Sequence, residues 1–157
     1  MISGKVSDSN KNSIENLLFI IANLPDFLKL SVCRTKIKEL VEMTEAEKKE
    51  TIIRSLNSIT MIQPDKLPGL TTIWMKALSE IEPDELTQIL YCYLWILESV
   101  KLFNKIDPKM ILNEFFSLDE VERNKLLVCL KEALFLSPDR EAILNTIPMN
   151  IAKVIFN

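Results

Sequence analysis

The 157 residues of this chain include no histidine, and the net charge is −3 at pH 7. The missing imidazole excludes His-dependent catalytic triads and every zinc site that needs this ligand, and the acidic balance argues against nucleic acid as the main partner. A chain of this length has the size of one domain and buries enough surface to form a core without a metal ion or a disulfide.

The glycine content predicts an all-α fold. Only Gly4 and Gly69 are present, and no Asn-Gly or Asp-Gly pair occurs, although β-hairpins depend on such turns. We expect residues 1–12 to be a disordered tail and residues 13–157 to be one helical domain. The first thirteen residues contain no apolar run of the kind found in a signal peptide, so the sequence favours a cytoplasmic protein.

A repeated pattern marks where helices begin. An apolar residue is followed by a capping or acidic residue, often with proline, which fits the first helical turn. Thr44 and Glu47 match a capping box. The leading apolar residues recur every 19 residues, at Leu24, Met43, Ile62 and Ile81. Together with the helical periodicity between these starts, the pattern predicts helices over residues 13–23, 26–42, 45–61, 66–80, 83–103, 108–117, 119–136, 138–146 and 148–156.

The segment 83–103 is predicted to be the central helix. It is apolar on nearly all sides from Leu86 to Phe103, which is typical of a helix buried against several neighbours. Its longest apolar run, Ile89–Leu97, has nine residues, whereas a membrane-spanning helix needs about 20, so we expect no membrane span. Two architectures stay open: a compact multi-helix bundle, or a short array of antiparallel helical hairpins with a period of about 38 residues.

The three cysteines are predicted to be reduced thiols. Cys33, Cys92 and Cys129 are odd in number and form no C-x-x-C motif, which argues against a disulfide framework or a zinc site. Cys92 and Cys129 stand in apolar stretches that keep a thiol inert, so both are expected to pack in the core. Cys33 lies next to Arg34 and is the one candidate for a reactive thiol.

Clustered charges offer candidate sites, but helix formation explains them better. One acidic cluster at a helix junction consists of Glu80, Glu82, Asp84 and Glu85, and a second consists of Asp119, Glu120 and Glu122. Converging carboxylates could hold a divalent cation, yet acids in these places also cap helices. The basic residues Lys29, Arg34, Lys36 and Lys38 scatter around the second helix and indicate a solvated face. We therefore predict no catalytic, cofactor-binding or metal-binding residue, and no cofactor.

Aromatic residues concentrate on the predicted central helix, at Tyr91, Tyr93, Trp95 and Phe103. Core packing is the simpler interpretation. The alternative is that they line a pocket for an apolar ligand or a groove for a partner helix. On the same helix, Glu98 is expected to form an ion pair with Lys101, three residues later.

Three classes of function stay open. The leading hypothesis is a non-enzymatic helical module for protein–protein interaction or scaffolding, which binds a protein partner or a second copy of itself, because 48% hydrophobic residues leave apolar surface to be covered. The first alternative is a carrier of an apolar small molecule in a helical pocket beside Leu86–Phe103, which a cavity of roughly several hundred Å³ would favour. The second alternative is a histidine-independent enzyme, which the lack of a catalytic constellation disfavours.

Overall fold

The computed structural model of the protein describes residues 16–157, and every regular element among them is a helix. This confirms the predicted all-α fold for that part of the chain, while the predicted tail over residues 1–12 lies outside the described residues. The elements are α1 (16–22), α2 (Asp26–Glu42), α3 (Glu45–Ser58), a 3₁₀ turn (Ile59–Met61), α4 (Leu67–Leu78), α5 (Pro83–Val100), α6 (Leu102–Lys105), α7 (Pro108–Ser117), α8 (Glu120–Leu136), α9 (Arg140–Thr146) and α10 (Met149–Phe156).

Capping boxes explain why α3 and α8 begin at the predicted residue or within one residue of it. The Thr44 hydroxyl accepts a hydrogen bond from the Glu47 N–H at 3.2 Å, and the Glu47 side chain bonds back to the Thr44 N–H, which completes the predicted capping box of α3. Asp119 and Glu122 form a second capping box at the start of α8. Each box pairs N–H groups that a helix start would otherwise leave open, and an N-cap contributes about 1 kcal/mol.

The predicted helix over residues 83–103 is interrupted. Lys101 adopts a left-handed backbone with φ of 49°, so α5 ends at Val100 and only the short α6 follows. A left-handed backbone at a residue other than glycine costs about 1 kcal/mol. The local sequence has no preference that compensates for this cost. After the break Leu102 and Phe103 pack against the core, and this packing offsets the cost. The predicted helix over 45–61 also ends early, because its last turn tightens into the 3₁₀ turn.

Two helices, α4 and α5, organise the packing. Helix α4 lies against α2 and α7, and α10 contacts α7. Helix α5 lies against α3 and α8, and it also contacts α2 and α9. These contacts agree with a helical bundle organised around α5, whereas the period of about 38 residues stays a prediction. Within residues 16–157, every helix falls short of the length or the hydropathy that a bilayer-spanning segment requires.

The buried apolar side chains form two clusters. The larger cluster contains Ile37 of α2, Ile52 of α3 and Ile89 of α5. The smaller cluster consists of Leu94, Leu97, Ala133, Leu134, Ile147 and Ile155. Helices α5 and α8 both contribute buried side chains to each cluster, so these two helices join the two regions of the core.

Candidate functional site

An apolar cavity of about 350 Å³ is bordered by side chains from many elements, and α4 and α5 contribute the largest sets. Their lining side chains are Leu67, Leu70, Thr71, Trp74, Met75 and Leu78 of α4, and Leu90, Tyr93, Leu94 and Leu97 of α5. The volume falls in the range of small-molecule sites, which is about 300–1,000 Å³. It is also more than twice the roughly 150 Å³ of an apolar cavity known to admit benzene.

The cavity exists because the two core clusters do not close on each other. Leu70 and Leu78 belong to the larger cluster, and Leu94, Leu97 and Ile155 belong to the smaller one. All five also line the cavity. Side chains from both clusters therefore face a common space that no side chain fills.

The polar groups in the cavity wall are few and mostly engaged. The Ser55 hydroxyl donates to the Thr51 carbonyl at 2.9 Å, and the Thr71 hydroxyl donates to the Leu67 carbonyl at 2.8 Å. Among the described residues, none that lines the cavity is charged. The wall can accept an apolar molecule without exposing an unpaired charge to it.

One hydrogen bond joins the two main walls. Trp74 Nε1–H of α4 donates to the Tyr93 hydroxyl oxygen of α5 at 3.0 Å. Burial raises the pKa of Tyr93 to about 12, although the Trp74 hydrogen bond acts in the opposite direction. The phenol therefore keeps its proton at neutral pH and remains a hydrogen-bond donor.

All three cysteines are buried and free, which confirms core positions for Cys92 and Cys129. Cys33 also lies in the core and lines the cavity. Burial raises the pKa of Cys33 to about 11, more than the nearby Lys29 charge lowers it. A thiol protonated in this way is a poor nucleophile, so the position of Cys33 does not support the suspected reactivity.

The prediction that the first acidic cluster belongs to a helix start is confirmed for Asp84 and Glu85, which lie in the first turn of α5, but it is wrong for Glu80. Glu80 instead reaches α2, where its carboxylate accepts hydrogen bonds from Arg34 Nε at 2.6 Å and Arg34 Nη2 at 2.8 Å. Glu82 is the N-cap residue of α5 but makes no side-chain capping bond. Among residues 16–157, no three acidic or cysteine side chains converge as a metal site would require. In the second cluster, Asp119 and Glu122 are the capping pair of α8 described above.

The basic residues of α2 are only partly solvated. Arg34 forms the ion pair with Glu80, and Lys36 pairs with Glu39 at 3.1 Å. The prediction of a solvated face is wrong for Lys29, which is buried and lies 3.6 Å from Asp26. Its position follows from the approach of α4, since Lys29 Nζ lies next to Gly69.

The aromatic residues of the central segment divide between the interior and the surface. Tyr93 and Phe103 line the cavity. Core packing is the wrong prediction for Trp95, which is 54% exposed and has Lys49 Nζ 3.9 Å from its ring centroid.

The predicted Glu98–Lys101 pair is also absent from the ion pairs of the described residues. Helix α5 ends before Lys101, so its side chain no longer stands one turn from Glu98. Both residues are exposed.

Helix α8 leaves an apolar stripe on the surface. Val121, Val128 and Phe135 are 78%, 63% and 69% exposed. Their spacing of seven residues places them on one face of the helix. Arg140 covers part of this stripe, since its guanidinium lies 5.1 Å from the Phe135 ring centroid.

No known protein-family model, curated protein or solved structure matches the chain. The cavity wall formed by α4 is the part of the candidate site that the sequence did not reveal, because Leu70 and Trp74 have the periodicity of ordinary core residues. One signal was available. Thr71 places a hydroxyl beside this apolar stripe, and its side chain lies in the cavity wall.

Proposed function

We propose that this protein binds an apolar small molecule in the cavity between α4 and α5, as a carrier or sensor without catalytic activity. The observation that carries the proposal is the cavity itself, whose 350 Å³ are lined almost entirely by apolar side chains. A site of this kind attracts a ligand because both the molecule and the wall lose contact with water.

The apolar wall supports the proposal, because removing apolar surface from water is worth about 25 cal/mol per Å². A bound apolar molecule would cover this wall and would stabilise the fold by mass action.

Titration with the neutral fluorescent dye N-phenyl-1-naphthylamine tests the proposal. We expect a saturable rise in fluorescence with one dye per chain, and a rise in the thermal midpoint at saturating dye. Thr71→Leu adds volume to the wall and should weaken binding about fivefold, which corresponds to about 1 kcal/mol of overpacking.

Thr35→Leu is the matched control for this experiment. Thr35 and Thr71 both donate to the carbonyl four residues earlier, but only Thr71 lines the cavity. The two variants therefore lose equivalent hydrogen bonds, but only Thr71→Leu reduces the volume of the cavity. Absence of saturable binding, or equal affinity in both variants, would contradict the proposal.

A second candidate function is self-association through α8. The exposed stripe of Val121, Val128 and Phe135 spans two heptads, or about 21 Å of helix. In an antiparallel pair of α8 helices centred on Val128, each Phe135 lies beside the Val121 of the other copy, so a large side chain meets a smaller one. A two-fold axis produces this self-complementary arrangement. If the helices form hairpins that repeat about every 38 residues, stacked hairpins would present α8 on an extended face that binds a second copy.

Light scattering coupled to size exclusion tests the second candidate. We expect the mass of two chains, and the mass of one chain for Val128→Glu. Met61→Glu is the control, because Met61 is equally exposed but lies in the 3₁₀ turn. A single-chain mass for the unaltered protein would contradict self-association and would leave the cavity proposal intact.

A further inference from the structure

The hydrogen-bonding groups in the cavity wall differ in what they can offer to a ligand. The Ser55 and Thr71 hydroxyls already donate hydrogen bonds to backbone carbonyls of their own helices. The Cys33 thiol is a weak donor. The Tyr93 hydroxyl accepts from Trp74, and its own proton has no acceptor among the described residues. Tyr93 is therefore the strongest free donor in the wall.

The Trp74 hydrogen bond also orients this donor. Trp74 Nε1–H occupies one lone pair of the Tyr93 oxygen, which restricts the directions left for the phenolic proton. Both side chains line the cavity, and the bond between them links the two helices that contribute most to its wall. A donor held in this way loses little rotational freedom when it meets an acceptor, which favours binding.

We propose that the Tyr93 hydroxyl donates a hydrogen bond to an acceptor oxygen of the bound molecule, so that the cavity selects neutral apolar molecules with a carbonyl-type oxygen. This inference rests on the proposed binding function and names its ligand class. Carboxylates are disfavoured, because no charged residue of the described chain lines the cavity and an unpaired buried carboxylate is costly. The high pKa of Tyr93 keeps the donor protonated at neutral pH.

Three probes that share a naphthalene ring test the inference: 2-acetylnaphthalene, 2-ethylnaphthalene and 2-naphthoate. Their dissociation constants are measured on the full chain by displacement of N-phenyl-1-naphthylamine. The ketone differs from the hydrocarbon by its carbonyl oxygen, so the change in the ratio of their affinities between the unaltered protein and a variant reports the hydrogen bond. Tyr93→Phe should shift this ratio about fivefold against the ketone, the usual effect of one net hydrogen bond.

Tyr91→Phe is the matched control, since Tyr91 lies on the same helix but outside the cavity wall; its ratio should equal that of the unaltered protein. Tyr93→Phe leaves the partly buried Trp74 N–H unpaired, which destabilises the fold. If this variant does not fold, Trp74→Phe/Tyr93→Phe replaces it, because removal of both partners avoids the unpaired group. Trp74→Phe alone keeps the phenol and should keep a preference for the ketone.

The outcomes separate the two proposals. An unchanged ratio in Tyr93→Phe, or in the double variant relative to Trp74→Phe, would overturn the hydrogen bond while binding itself stands. Tighter binding of 2-naphthoate than of the ketone would overturn the selection of neutral molecules. If neither uncharged naphthalene displaces the dye from the unaltered protein, the proposed binding function fails instead.

Discussion

Replacement of Thr87 by valine should stabilise this protein, because the Thr87 hydroxyl is buried without a partner. Thr87 is 4% exposed, and its Oγ1 has no hydrogen-bond partner within residues 16–157. A helical threonine usually donates to the carbonyl four residues earlier, which here belongs to Pro83. That carbonyl instead accepts a hydrogen bond from the Cys129 thiol at 3.6 Å. The Thr87 hydroxyl, which is a stronger donor than a thiol, is left unpaired.

The expected magnitude follows from the cost of such a group. A buried hydroxyl without a partner costs roughly 1–3 kcal/mol, and valine has nearly the same shape and helix propensity as threonine. We expect Thr87→Val to add about 1 kcal/mol to the free energy of unfolding, taken from the low end of that range, and to raise the thermal midpoint by about 2–4 °C. Urea unfolding followed by far-UV circular dichroism measures the first quantity.

Thr72→Val is the control for Thr87→Val. The Thr72 hydroxyl donates to the Glu114 carboxylate and so links α4 to α7. Its removal should lower the free energy of unfolding by about 1 kcal/mol. If Thr87→Val lowers the urea midpoint as Thr72→Val does, the Thr87 hydroxyl is hydrogen bonded in solution and the reasoning is refuted.

Three further predictions concern the ion pair, the thiols and the glycine of α4. The Arg34 hydrogen bond holds the pKa of the Glu80 carboxyl below its usual value, so its stabilisation is present above the unfolded pKa and is lost as the pH falls through the folded pKa. Glu80→Gln should therefore reduce stability at neutral pH more than in acid, and urea titrations with a pH-independent difference would refute this. Because all three cysteines are buried, a thiol reagent at neutral pH should label them only after denaturant is added, and rapid labelling of the native protein would contradict their placement. Gly69→Ala should raise the urea midpoint, with a gain of about 0.5 kcal/mol, since an added Cβ meets only Lys29 Nζ at 3.9 Å; a lower midpoint would show that the close approach of α2 requires glycine.

The sequence by itself was sufficient for the class of fold and for most helix starts. Scarce glycine excludes the turns of a sheet, and caps such as Thr44–Glu47 act within four residues of chain. Burial of Cys92 and Cys129 also followed from their apolar neighbours. These features depend on local chemistry, which one chain segment contains in full.

The tertiary structure alone decided the features that join distant segments. Arg34 and Glu80 are 46 residues apart, and no local pattern distinguishes a cross-helix ion pair from a cap. The left-handed Lys101 is set by packing after α5, against the preference of its own residue type. The cavity depends on a mismatch between two core clusters, whose side chains come from α1 to α10. Periodicity can show that Trp74 and Tyr93 face inward, but only the distance between α4 and α5 determines whether they meet a neighbour or border a space.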